Sequence, residues 1–270
     1  MHIENNLINN MKSFEIIETP FGNYIINQHD MIGNYIQKTG CWEYHLYEFY
    51  SKILNKNDIC VDAGANIGFH SIQFGKLCKK VYSFEPQPFI YNQLCTNILF
   101  NDLDNIIVPY RIGLGNKIET KQIWSIKHEE WPGNGIINWG GRGIEHKDTF
   151  HSDEIRENDQ IDIFPLDSYS IPYYDLFKID IQGYELYAFQ GAEKGLEKNK
   201  PVILLENAPG RSNLDRQILE ILKDMGYENY RYCQNTNEDC ILIHPKSSKY
   251  SISLNIINTL KNKYNIKQEF

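Results

Sequence analysis

The sequence lacks the cysteine and histidine patterns that mark metal sites and disulfide-bonded folds. Its six cysteines include no Cys-x-x-Cys pair, and no His-rich segment lies at metal-ligand spacing. We therefore predict a protein without a bound metal ion. Cys60 falls in an apolar strand pattern and is predicted to be a buried free thiol. Reduced cysteines fit a cytoplasmic compartment.

Long apolar runs and long basic runs are also missing. No stretch approaches the length of a membrane span, and the first residues lack the basic start and apolar run of a signal peptide. We therefore predict an intracellular protein with no membrane partner. The formal net charge is -8, and no run of Lys or Arg occurs before residues 246–267. Because proteins that bind a phosphate backbone usually display a basic surface, nucleic acid is disfavoured as a partner.

What the sequence does contain is an alternation of short β-branched runs with helical patterns. Strands are predicted at 58–62, 80–85, 105–112, 175–181, 201–206, 227–233 and 239–244, and helices at 67–77, 88–101, 184–196 and 214–225. This alternation is typical of βαβ units, so the predicted class is α/β with a parallel sheet.

The chain divides into three predicted parts. Residues 1–57 form an N-terminal cap of strands plus a helix near residues 43–54. Residues 58–245 form the core, interrupted by a Gly-rich and Trp-rich loop at 128–160, and long loops of this kind are often functional. Residues 246–270 are predicted to be a polar C-terminal tail. We expect one domain with a cap rather than two independent folds.

A glycine turn follows the first core strand and reads Asp62-Ala-Gly-Ala-Asn-Ile-Gly68. A turn at the carboxyl end of a first parallel strand is where doubly wound folds bind ligands. Gly64 lets backbone and ligand approach closely, and the start of the next helix supplies N–H groups. The spacing differs from the dinucleotide Gly-x-Gly-x-x-Gly pattern and suits an amino-acid carboxylate or amine better than a pyrophosphate. Asp62, Gly64, Ala65 and Asn66 are the predicted cofactor-binding residues of this turn; a purely structural turn is the alternative.

An acidic residue ends the next strand, in Phe84-Glu-Pro86. Glu85 lies about twenty residues beyond the glycine turn, where a carboxylate accepts the hydroxyls of a ribose. A solvated glutamate at a strand end is the alternative. Together, the turn and Glu85 predict a ligand that is both an amino acid and a nucleoside, and S-adenosylmethionine is both.

At this point the chain resembles the FkbM-type methyltransferases over about residues 43–206. The residues that carry the resemblance are Asp62 to His70, Phe84-Glu-Pro86, Asn97, Asn101, Asn138-Trp-Gly-Gly141, Lys178 to Glu185, Gly191-Ala192 and Glu206. The resemblance implies a Rossmann-like class I methyltransferase fold, with a mostly parallel seven-stranded sheet and helices on both faces. It also implies S-adenosylmethionine as cofactor and, mostly, O-methylation of sugars or other small hydroxylated molecules.

The same resemblance implies further site residues. Glu43, His70 and Pro86 join the predicted cofactor-binding set, Glu43 through the cofactor's amino group. Asn138, Trp139, Gly140 and Gly141 are predicted to bind the acceptor. From residue type alone, Trp42, Trp131 and Trp139 are candidates for stacking on a sugar ring, and packing of the loop against the core is the alternative.

Asp180 and Gln182 are the predicted catalytic residues. Asp180 ends the fourth core strand and is expected to polarise the acceptor or close the cofactor pocket; capping the next helix through Gly183 or Tyr184 is the alternative. Gln182 stands where the family usually has an acid. An amide donates and accepts hydrogen bonds but cannot act as a base, so catalysis here would differ or weaken if that acid takes part.

Three other functions compete with methylation of a sugar or small hydroxylated acceptor. An RNA ribose methyltransferase would need a Lys-Asp-Lys-Glu set, for which no convincing second lysine occurs. A catalytically weak cofactor-binding partner subunit is kept open by Gln182. A dinucleotide-dependent oxidoreductase fits least, because the glycine pattern differs and no suitable Tyr-x-x-x-Lys occurs.

Overall fold

The computed structural model describes residues 14–126, 155–206, 213–233 and 239–270. The strands are Phe14–Thr19 (β1), Gly22–Asn27 (β2), Ile59–Ala63 (β3), Lys80–Phe84 (β4), Ile107–Tyr110 (β5), Gly113–Leu114 (β6), Glu119–Ile126 (β7), Ile155–Phe164 (β8), Leu176–Ile179 (β9), Val202–Glu206 (β10), Glu228–Arg231 (β11), Asp239–Ile243 (β12) and Lys267–Gln268 (β13). The helices are Met31–Thr39 (α1), Tyr44–Ile53 (α2), Phe69–Leu77 (α3), Pro88–Phe100 (α4), Glu185–Gln190 (α5), Glu193–Asn199 (α6), Asn213–Asp224 (α7) and Tyr250–Tyr264 (α8).

The central sheet has the strand order β13-β11-β12-β10-β9-β3-β4-β5 within the described residues. Strands β10, β9, β3, β4 and β5 are parallel, whereas β12, β11 and β13 add to one edge antiparallel. The mostly parallel α/β sheet is thus confirmed, but with eight strands instead of seven. The extra strand is β13, which pairs with β11 at the edge.

Alternate residues of the central strands enter two different hydrophobic cores. In β10, Val202 and Leu204 face one core, while Ile203 and Leu205 face the other. The first core also takes residues from the cap and from α3, α4 and α8, and the second takes residues from α5, α6 and α7. A strand buried on both faces reads as a continuous apolar run, which is how these strands were recognisable in the sequence.

The N-terminal cap consists of the β1–β2 hairpin and helices α1 and α2. Asn97 of α4 and the residue that caps its end, Asn101, attach the hairpin to the core. The Asn97 side chain accepts from the Ile25 N–H at 2.7 Å and donates to the Ile67 carbonyl at 2.9 Å. Asn101 exchanges two hydrogen bonds with the Asn23 backbone. Helix α1 was not predicted; the Asp30 carboxylate begins it by accepting from the Gly33 N–H.

Residues 246–270 are not a polar tail. They form α8 and β13, because Ser253, Ile257 and Leu260 share one buried face of the helix. The Lys249 ammonium anchors the start of α8 at 2.5 Å from Asp58 Oδ2, and both side chains are buried.

Two other predictions needed correction. The helix predicted over 184–196 is two helices, α5 and α6, interrupted near Gly191, where a Cβ would lie 1.9 Å from the carbonyl oxygen of Gly115. The loop predicted over 128–160 extends too far, because residues 155–160 belong to strand β8. They pair with β7, which was not predicted. No helix in the described ranges is long and apolar enough to cross a membrane.

Candidate active site

The glycine turn joins β3 to α3 and brings two strand ends together. Gly64 has a φ of +78°, and the backbone N–H groups of Gly64 and Ala65 both donate to the Phe84 carbonyl at 3.0 Å. A Cβ on Gly64 would lie 1.8 Å from the carbonyl oxygen of Asp180. Only glycine therefore lets the carboxyl ends of β3 and β9 approach this closely.

A cavity of about 280 Å³ opens at these strand ends. Its lining combines the cap with the ends of β3, β4, β9 and β10: Met31, Ile32, Trp42, Glu43, Ala63, Gly64, Asn66, Phe84, Glu85, Pro86, Gln87, Ile112, Gly113, Leu114, Ile123, Asp180, Ile181, Gln182, Tyr184 and Glu206. The described lining holds four carboxyl groups and no Lys, Arg or His side chain. The cavity is therefore acidic and suits a cationic ligand.

The structure brings most of the predicted site residues to this cavity, but not all. Asp62, Ala65 and His70 lie behind its surface. Asn138, Trp139, Gly140 and Gly141, predicted to bind the acceptor, lie outside the described residues.

Glu85 is held against the glycine turn. Its carboxylate accepts from the Asn66 N–H at 3.1 Å and from the Gln87 N–H at 2.9 Å, and only 4% of the residue is exposed. Burial raises the pKa of Glu85 to about 7, and the negative charges of Asp180 and Asp62 add to that effect. Glu85 is thus a turn-bound acid at the cavity wall, positioned to meet hydroxyl groups.

Asp62 and His70 act through other residues. Asp62 is fully buried and its Oδ2 accepts from the Ser71 hydroxyl at 2.5 Å, which ties β3 to α3. His70 Nε2 lies 2.9 Å from Glu43 Oε2, and its Nδ1 lies 3.1 Å from the Tyr50 hydroxyl. His70 therefore orients Glu43, which is the residue that lines the cavity.

Glu43 presents a stable negative charge to the cavity. Burial opposes its ionisation, but the hydrogen bond from His70 and the charges of His70 and Lys178 prevail and lower the pKa of Glu43 to about 2. Its backbone has a left-handed φ of +47°, an uncommon conformation for a residue other than glycine. A fixed carboxylate of this kind suits the ammonium or sulfonium group of an amino-acid cofactor.

Asp180, Gln182 and Glu206 meet at the cavity wall. Gln182 Nε2 donates to Asp180 Oδ1 at 2.6 Å and to Glu206 Oε2 at 3.3 Å. The charge of Asp180 and, second, burial raise the pKa of Glu206 to about 9, so Glu206 carries a proton at neutral pH. The side chain of Asp180 contacts Gln182 and Lys178 rather than capping the next helix, α5, which begins at Glu185.

Two charged residues below this group were not predicted. Lys178 is buried, and its Nζ lies 3.8 Å from Asp180 Oδ2. Burial lowers the pKa of Lys178, but the surrounding carboxylates more than compensate and raise it above its usual range. Glu185 accepts from the Ile181 N–H at 2.9 Å and so stabilises the turn that carries Gln182.

Glu206 was absent from the predicted catalytic set, although an acid at the end of a core strand was a usable signal. Strand β10 lies beside β9, so its last residue emerges next to Asp180. Within the described residues, no group of three or more His, Cys, Asp or Glu side chains is arranged to hold a metal ion.

The residues present fit S-adenosylmethionine. Glu43 offers a carboxylate for its cationic groups, Glu85 offers a carboxyl group for its ribose hydroxyls, and Pro86, Ile112 and Leu114 give an apolar wall for its base. When bound, the cofactor supplies an activated methyl group. The sheet topology and this cavity fit one class of protein, the Rossmann-like methyltransferases that use S-adenosylmethionine.

The family follows from comparison with known proteins. The family model for the methyltransferase FkbM domain matches residues 62–228, more than half of the 270 residues. The chain belongs to the FkbM methyltransferase family.

Relatives of this chain include two named methyltransferases. Methyltransferase sdnD of Sordaria araneosa is 25% identical over 213 residues, covering 68% of this chain and 78% of the relative. Hexuronic acid methyltransferase AglP of Haloferax volcanii is 25% identical over 154 residues, covering 55% of this chain and 56% of the relative. The chain thus matches only about half the length of AglP.

A solved structure of an FkbM methyltransferase from Methylobacillus flagellatus KT is also similar. It aligns with a TM-score of 0.47 at 17% identity, covering 70% of this chain and 44% of that chain. The family assignment rests on the family model and not on this structural likeness.

Proposed function

We propose that this methyltransferase transfers a methyl group from S-adenosylmethionine to a hydroxyl group of a small neutral acceptor, with a sugar as the leading class. The observation that carries the proposal is the acidic cavity, whose lining includes Asp180, Glu206 and Glu43, with Gln182 donating to both Asp180 and Glu206. Methyl transfer from a sulfonium is an in-line displacement, so the protein mainly aligns the donor with the acceptor.

The charge of the cavity favours a hydroxyl over an anionic acceptor. A sugar hydroxyl ionises far above neutral pH and needs a base to remove its proton during transfer. A carboxylate or phosphate acceptor is already ionised, needs no base and would be repelled by the negative charge that Glu43 holds in the described lining. The cavity therefore supports a neutral hydroxyl acceptor. A ribose hydroxyl of RNA is also neutral, but the phosphates beside it would be repelled by the same negative charge.

Two further observations support a sugar. Trp42 and Met31 of the cap line the cavity and offer an apolar face against which a pyranose ring can pack. The relative AglP is named as a hexuronic acid methyltransferase, so at least one relative acts on a sugar derivative.

The test is a turnover assay with three matched acceptor classes. The purified protein is incubated with S-adenosylmethionine and a neutral methyl hexoside, the corresponding uronic acid, or a short RNA, and S-adenosylhomocysteine release is measured. We expect release only with the neutral hexoside, and a methylated product that resists mild alkali as an ether does. Turnover confined to the uronic acid, with an alkali-labile ester as product, or confined to the RNA, would refute the proposal.

A further inference from the structure

We propose that Glu206 is the catalytic base that takes the proton from the acceptor hydroxyl, and that Gln182 positions it against Asp180. The proposal rests on the function proposed above, since a base is needed only for a hydroxyl acceptor. It assigns a catalytic role to a residue outside the predicted catalytic set, and a positioning role to the amide that replaces the usual acid of the family.

The geometry places one amide between two carboxyl groups. Glu206 is the last residue of β10 and Asp180 directly follows β9, so the two parallel strands end at the same wall of the cavity. The Gln182 amide has two N–H bonds, and its Nε2 lies within hydrogen-bonding distance of both carboxyl groups. An acid at position 182 would place a third carboxyl group here, whereas the glutamine amide donates to both members of the pair.

The groups around Asp180 and Glu206 differ, and they give the two carboxyl groups different roles. Both oxygens of Asp180 face donors, because Oδ1 accepts from Gln182 and Oδ2 lies 3.8 Å from the Lys178 ammonium. Those donors hold the Asp180 carboxylate in place beside Glu206. Asp180 is therefore better suited to hold charge beside Glu206 than to remove the proton itself.

Glu206 has the opposite environment. The charges of Asp180, Glu43 and Asp239 all disfavour the ionised form of Glu206, whereas the charge of Lys178 favours it. Asp239 in turn is paired with His45, at 2.6 Å. The pKa of Glu206 is about 9. This value is closer to the pKa of a hydroxyl group than the value of an ordinary carboxyl group is. A closer match of this kind makes a more effective general base once the group is ionised.

Methyl transfer with Glu206 as the base needs no reactant other than the acceptor and S-adenosylmethionine. The acceptor O–H bond breaks and its proton moves to the Glu206 carboxylate. The oxygen forms the new bond to the methyl carbon, and the S–CH3 bond breaks with its electron pair remaining on sulfur. The products are the methyl ether and S-adenosylhomocysteine, and the proton returns to solvent from Glu206.

The first experiment needs no acceptor. In protein labelled with 13C at glutamate carboxyl carbons, we expect one resonance to titrate near pH 9. This resonance should be absent in Glu206→Gln and should titrate at lower pH in Asp180→Asn, where the neighbouring charge is removed. A spectrum in which no glutamate titrates above pH 8 would overturn the proposal.

The second experiment measures turnover of the neutral methyl hexoside against pH. In the native enzyme kcat should rise about tenfold per pH unit and level off near pH 9. Glu206→Gln should lower kcat by about 10²–10⁴-fold and remove the inflection, with the Kd for S-adenosylmethionine changed by less than about twofold. Gln182→Glu should move the inflection to higher pH. Glu197→Gln, an exposed substitution on α6, is the matched control and should behave as native.

The outcomes separate this proposal from the function on which it rests. Retention of native kcat and its pH inflection in Glu206→Gln would overturn the catalytic role while leaving hydroxyl methylation intact. Loss of the inflection in Asp180→Asn, with activity at neutral pH otherwise unchanged in Glu206→Gln, would assign the base to Asp180. A titrating Glu206 without methylation of any hydroxyl would refute the proposed function, and the role of Glu206 would fall with it.

Discussion

Replacing Gly64 with alanine tests how the glycine turn assembles the active site. The φ of +78° costs alanine about 1–2 kcal/mol, as the left-handed region does for any residue with a Cβ. The new methyl group would lie 1.8 Å from the Asp180 carbonyl oxygen, so one of the two backbones must move by more than 1 Å. Overpacking of this kind costs about 1–3 kcal/mol. The expected total loss in free energy of unfolding is about 2–5 kcal/mol.

A matched substitution separates the contact from the conformational strain. Gly40 has a φ of +77°, but a Cβ there would meet no atom within 4 Å. Gly40→Ala should therefore cost only the strain, about 1–2 kcal/mol. The difference between the two variants isolates the close approach of β3 and β9.

The assays are urea unfolding and calorimetric titration with S-adenosylmethionine. Because the movement displaces Asp180 and the turn, Gly64→Ala should weaken cofactor binding at least about tenfold, a change of about 1.4 kcal/mol. Gly40→Ala should bind as the native protein does. Equal losses of stability in the two variants, together with native cofactor affinity in Gly64→Ala, would refute the reasoning.

Three further predictions concern the cap, the cofactor acid and the C-terminal helix. Asn97→Ala leaves buried backbone groups of the cap and the glycine turn unpaired, and urea unfolding should show a loss of about 2–4 kcal/mol. Since Glu85 ionises near pH 7, cofactor affinity measured by calorimetry should rise between pH 6 and 8 in the native protein and stay flat in Glu85→Gln. Lys249→Met leaves the buried Asp58 carboxylate without the lysine charge and should lower the free energy of unfolding by about 3–5 kcal/mol, measured in urea. The exposed substitution Lys261→Met should lower it by less than about 0.5 kcal/mol.

Each of these predictions has a result that contradicts it. Native stability in Asn97→Ala would mean that water replaces the asparagine amide. A pH dependence of cofactor affinity that persists in Glu85→Gln would assign the titration to another group. Equal effects of Lys249→Met and Lys261→Met would show that the buried ion pair does not anchor α8.

The local sequence pattern was enough to predict the parallel core and the strand ends at which the cavity lies. Strands buried on both faces appear as apolar runs, and helix α7 shows a regular apolar repeat, so both were recognisable without tertiary information. The glycine turn and Glu85 were predicted at the carboxyl ends of adjacent strands, because parallel βαβ units place successive strand ends at one edge of the sheet.

The elements that local pattern did not predict depend on contacts distant in sequence. Helix α8 was read as a polar tail because its buried face is narrow, and its place is set by Lys249 meeting Asp58, 191 residues away. The break between α5 and α6 comes from the contact of Gly191 with Gly115. Strand β7 was missed because its polar residues alternate weakly, and it is defined by pairing with β8 across the long loop.

The same distinction between local sequence and distant contacts applies to the residues of the active site. The sequence by itself predicted Asp180 at the end of a recognisable strand, and the resemblance to the family singled out Gln182. Only the tertiary structure decided that Glu206, 24 residues beyond Gln182, meets both of them. A carboxyl group's proton affinity depends on burial and on the charges nearby, and those are set by which strands lie side by side rather than by the residues next to it in the chain.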